Sequence, residues 1–101
     1  MAFDMYLYKE RVFIDYDEEI IFNLVNEDDA YPGLNWLWEN FYDNPIIDPS
    51  SAKALASELT ALASNFKKKN NEKLIIKTCI KLSTFFNRAY VAGKQIKCFS
   101  D

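Results

Sequence analysis

The chain has 101 residues, half of them apolar and 16% aromatic, with two glycines and three prolines. That length holds one domain, residues 1–101, and that composition excludes disorder and a loop-rich scaffold. The formal charge of −3 hides a split: residues 1–50 carry twelve acids against Lys9 and Arg11, a net −10, and residues 51–101 carry ten cations against Glu58, Glu72 and Asp101, a net +7.

Residues 2–8 alternate, with Phe3, Met5 and Leu7 on one side and Asp4, Tyr6 and Tyr8 on the other. Period two with aromatic enrichment predicts a half-buried strand. Val12, Phe13 and Ile14 predict either a second short strand or the lead into a helix. Asp17, Glu18 and Glu19 suit the first turn of a helix over residues 17–26, carrying Ile20, Ile21, Phe22, Leu24 and Val25. The acids Glu27, Asp28 and Asp29 then fall at its negative end, where they are unfavourable.

Pro32 and Gly33 punctuate the chain, and Leu34, Leu37, Trp38 and Phe41 recur at helical spacing over residues 34–42. Trp36 lies about 200° round that wheel from Leu34 and points away from the apolar face. Residues 43–49 read as a stiff connector. Asp48 caps a helix whose first position is Pro49, and Ala52, Leu55, Ala56, Leu59, Leu62, Ala63 and Phe66 extend it to residue 67. Lys67, Lys68 and Lys69 suit its C-terminus, Asn70 and Asn71 make the turn, and a helix over residues 71–92 carries Ile75, Cys79, Leu82, Phe86 and Ala89 on one stripe. The short linker predicts that these two helices lie antiparallel. Gly93 is a ready stop, and residues 95–99 predict a last short strand. The expected fold is mainly α, a compact bundle of about four helices with one or two short terminal β-strands.

Catalytic equipment is sparse. The chain has no histidine, which removes the commonest general base and the commonest metal ligand. Two isolated glycines build no phosphate loop, and Cys79 and Cys98 lack zinc spacing. The acidic run lacks the spacing of a calcium loop. No enzyme, cofactor or metal is expected. Two reduced thiols, with no signal-like leader and no run of about 20 apolar residues, point to a bacterial-type cytoplasm and away from the membrane.

Two charged constellations remain. Asp15, Asp17, Glu18, Glu19, Glu27, Asp28, Asp29, Glu39, Asp43 and Asp48 surround Tyr31, Trp36 and Tyr42. Carboxylates steer an encounter with a basic protein, and Tyr and Trp supply its anchors. The partner-binding set drawn from them is Asp15, Asp17, Glu18, Glu27, Asp28, Asp29, Tyr31, Trp36 and Asp43. The alternative is a nucleic-acid regulator using Lys73, Lys77, Lys81 and Arg88, which fall within about 80° of one another on the last helix. Nucleic acid is the lesser expectation, because the chain is acidic overall and no aromatic interleaves that stripe.

A short acidic chain without catalytic equipment, opening Met-Ala-Phe-Asp-Met-Tyr-Leu-Tyr, resembles the small bacterial immunity proteins that neutralise polymorphic toxins, those of contact-dependent growth inhibition included. The resemblance implies a non-enzymatic inhibitor of a cognate toxin, many of which are nucleases, acting by occlusion of the active site or substrate cleft. The basic second half departs from a uniformly acidic mimic of nucleic acid.

Overall fold

The computed structural model describes residues 3–65 and 72–100. In chain order it contains β1 (Phe3–Leu7), β2 (Glu10–Ile14), a 3-10 turn (Tyr16–Glu19), α1 (Ile20–Leu24), α2 (Pro32–Glu39), β3 (Ile46–Ile47), α3 (Pro49–Asn65), α4 (Glu72–Ala92) and β4 (Ile96–Ser100). The fold is mainly α. Its β component is larger than one or two terminal strands: a four-stranded antiparallel sheet in the order β2-β1-β4-β3.

The strands follow from alternation. Phe3, Met5, Leu7, Ile14, Ile47, Ile96 and Cys98 are buried on the face against the helices. The register places Asp4 beside Phe13 and Phe99, and Tyr6 beside Arg11 and Lys97, on the opposite face. β1 and β2 turn at Tyr8, a non-glycine residue at φ 56°. β3 forms inside the expected connector, because Ile46 and Ile47 pair with Lys97 and Ile96 while the Cys98 amide donates to the Pro45 carbonyl.

The long helices follow their signals closely. The Ser51 amide donates to Asp48 Oδ1 at 2.8 Å and Pro49 opens α3. The Ser51 amide also holds the Asp48 carboxyl below its ordinary value. Gly93 at φ 67° stops α4, and nothing lies where its side chain would be. Residues 53–60 face residues 83–90 across a groove, and residues 59–64 face residues 76–83, so α3 and α4 are antiparallel. The expected Phe66 contact, the Lys67–Lys69 run and the Asn70–Asn71 turn lie outside the described residues.

The helix expected over residues 17–26 is shorter and broken. A 3-10 turn leads into five residues of α1, which ends before the acids at 27–29. Those acids therefore sit in the α1–α2 loop. α2 begins at Pro32, earlier than expected, because Glu58 of α3 caps it from outside. The Gly33 and Leu34 amides donate to its carboxylate at 2.8 and 2.9 Å. A Cβ at residue 33 would sit 2.5 Å from Glu58 Oε2 and push the capping carboxylate aside.

Both cysteines are buried and free. Burial pushes their thiols up to about 11 at Cys79 and about 12 at Cys98, so they stay protonated at neutral pH and serve as small apolar fillers. No described helix is long and apolar enough to cross a membrane.

Candidate functional site

Trp38 is the hinge point of the acidic half. Its ring stacks on Phe22 of α1 at 5.0 Å and leans on Phe41, also at 5.0 Å. These contacts bury one side and leave the residue half-buried. Two surface depressions share Trp38 in their lining. One, of ≈ 520 Å³, is lined by Tyr16, Asp17, Glu19, Ile20, Asn23, Trp38 and Leu74. The second, of ≈ 320 Å³, brings Glu27, Asp28, Asp29 and Glu39 to the same indole. Together they hold six carboxylates, and no lysine or arginine lines either among the described residues. Burial pushes the Glu19 carboxyl up, the mark of an acid drawn partly out of water.

The loop carrying Glu27, Asp28 and Asp29 is fixed by α2. Asn35 accepts from the Glu27 amide at 3.2 Å and donates to the carbonyls of Asp28 at 3.1 Å and Tyr31 at 3.0 Å. The Asp28 carboxylate accepts from the Ala30 amide at 2.9 Å, and Glu27 takes the left-handed conformation at φ 62°. The backbone is thus held while the three acidic side chains remain exposed.

The partner-binding set divides on this structure. Asp17, Glu27, Asp28 and Asp29 line the two depressions. Asp15 is exposed at the start of the 3-10 turn, and Asp43 is exposed in the turn after α2; neither lines a depression. Trp36 faces outward as its wheel position requires, 39% exposed, but stands off the basin.

Two members leave the surface altogether. Tyr31 is buried, and its hydroxyl accepts from Asn65 Nδ2 at 2.8 Å. Glu18 is buried with its carboxylate 2.7 Å from Lys81 Nζ, accepting also from the Asp15 amide at 2.9 Å and the Thr78 hydroxyl at 3.2 Å. Burial alone would raise this carboxyl. The Asp15 amide, the Lys81 ammonium and the Thr78 hydroxyl outweigh it and hold the group below its ordinary value.

The same contacts break the basic stripe. Lys81 is spent on Glu18 and on the Phe13 carbonyl at 2.8 Å. Arg88 pairs with Glu10 at 2.7 Å. Lys73 and Lys77 are exposed on α4.

Sequence reasoning assigned Trp38 to the core by its spacing and passed over Tyr16 and Asn23. The available signal was the acids on either side: Glu39 follows Trp38 directly, and Asp17 and Glu19 bracket the turn beside it. Among the described residues, no group of three His, Cys, Asp or Glu is placed to hold a metal ion. No family model matches the chain, and no curated protein or solved structure matches it.

Proposed function

We propose that this chain is a non-enzymatic binding protein, an immunity protein that neutralises a basic bacterial toxin with nuclease activity by occluding its active site. The observation that carries the reading is the pair of depressions joined at Trp38, with six carboxylates around a half-buried indole. A nuclease binds phosphates with lysine and arginine. Carboxylates gathered on a concave surface compete for those same cations and steer the encounter. The indole offers what a cation and its alkyl stem both favour, a π face and a large apolar area. The loop held by Asn35 loses little freedom on binding, so less of the interaction energy goes into ordering it.

The test begins with capture of the partner on the tagged chain from extract of the native host. A partner that fits the reading is basic, has nuclease activity alone, and loses that activity at one-to-one stoichiometry. Charge reversal of Glu27, Asp28 and Asp29 to lysine then slows association and weakens the complex, far more at about 0.03 M salt than at about 0.3 M. An affinity unchanged by the reversal at low ionic strength rejects the acidic basin as the binding surface.

A further inference from the structure

The outer face of the sheet carries a second unassigned surface of a different chemistry. A solvated sheet face is ordinarily polar. Here the register lays out one row of Phe13, Asp4 and Phe99 and a second of Arg11, Tyr6, Lys97 and Ile46. Tyr6, Phe99 and Ile46 are 37%, 49% and 55% exposed. The Tyr6 and Phe99 rings meet edge to face at 5.7 Å. Cations sit among them: Arg11 lies 5.1 Å over the Phe13 ring, and Lys97 is exposed beside Tyr6. At the hairpin end Lys94 lies 5.9 Å over the Tyr8 ring.

Among the described residues, Asp4 is the one carboxylate in these two rows. Its side chain is 15% exposed and bound to Arg11 at 2.8 Å. Asp4 and Arg11 offset each other, so Lys97, with Lys94 at the hairpin end, gives this face its positive charge, while the acids of the basin gather around Trp38.

We infer that this face is a stacking platform for single-stranded nucleic acid. Tyr6 and Phe99 receive bases, while Lys97, exposed beside Tyr6, meets the phosphates. Every base has a π face, so such a surface binds unpaired strands with little sequence preference, and a duplex hides those faces. The strip of cations on the α4 helix lacks exposed aromatic residues between its charges, Phe85 and Phe86 being buried. The sheet supplies the aromatics and cations together, from strands distant in sequence. This surface is separate from the acidic basin, and either can stand without the other.

The experiment is a fluorescence anisotropy titration of labelled oligouridylate and oligothymidylate of about 12 nucleotides, with a duplex of equal length as comparison. Single strands bind saturably at low salt and more tightly than the duplex. Tyr6→Ala and Phe99→Ala each weaken binding by about fivefold or more, whereas Tyr6→Phe stays within about twofold. Lys97→Gln lowers the slope of log affinity against log salt by about 0.7. The substituted side chains are solvent-exposed, and thermal melts verify that each variant is folded. Three results overturn the inference: no saturable binding at low salt, equal affinity for the duplex, or affinity unmoved by Phe99→Ala. A reversible dimer in sedimentation that Phe99→Ala dissolves also overturns it, and gives the face to a second copy of the chain.

Discussion

Glu18 and Asp17 are adjacent, yet one is an internal strut and the other a surface charge. The local difference is the capping spacing Asp15-x-x-Glu18, through which the Asp15 amide donates to Glu18, and the residue that pairs with the carboxylate is Lys81, 63 positions away. The pair ties the 3-10 turn to α4 and so positions one wall of the basin. Its stability contribution has a definite sign with pH. The folded carboxyl lies below its ordinary value, so the contribution is complete above the usual glutamate range and is lost as pH falls through the depressed one. Denaturant unfolding of the wild type and Glu18→Gln measured against pH checks this. The stability gap between them is widest near neutrality and closes on acidification. Lys81→Met strands the buried carboxylate, at a cost of about 1–3 kcal/mol at neutral pH that shrinks as Glu18 takes up a proton. A gap independent of pH contradicts the assignment. Trp36 and Trp38 repeat the lesson in apolar form. Helical spacing located Trp36 correctly on the outside, but it cannot say that the core-facing Trp38 stops half-way and keeps one side in water.

The elements that were legible are those whose stabilising contacts are local. α3 declares itself by a proline, a cap and a three-four stripe, and α4 by a stripe closed with Gly93. The hairpin between β1 and β2 was ambiguous because its turn uses Tyr8 in the left-handed region, with no glycine or asparagine to signal it. β3 was read as a connector because two residues of strand exist only through pairing with β4, some fifty positions on. The α1–α2 loop belongs to the same class. Its acids were misplaced on a helix end, and its shape depends on a side chain of the next helix. Asn35→Ala is therefore expected to speed amide exchange at Glu27, whose amide donates to the Asn35 side chain, and to cost about 1 kcal/mol of stability. Amide exchange followed by NMR reads the Glu27 amide directly. Rates equal to wild type mean that Asn35 does not hold the loop.

Over the whole molecule, the charge split of the sequence does not become two clean faces. Folding spends Glu18 against Lys81, Glu10 against Arg88 and Asp4 against Arg11. What survives is a basin around Trp38 fed by the 3-10 turn, α1, α2 and their loop. The sequence announced an acidic half but could not say which acids converge, since convergence is set by how α2 packs beside α1. The outer sheet face was invisible for the same reason, its aromatics and cations being assembled across three strands. The central claim is that the captured basic partner seats on the Trp38 basin. Amide hydrogen exchange of the chain, alone and in that complex, measures it most directly. The account predicts new protection at residues 16–23 and 26–39, with the outer strands unchanged; protection confined to β1, β2 and β4, with the basin exchanging as in the free chain, contradicts it.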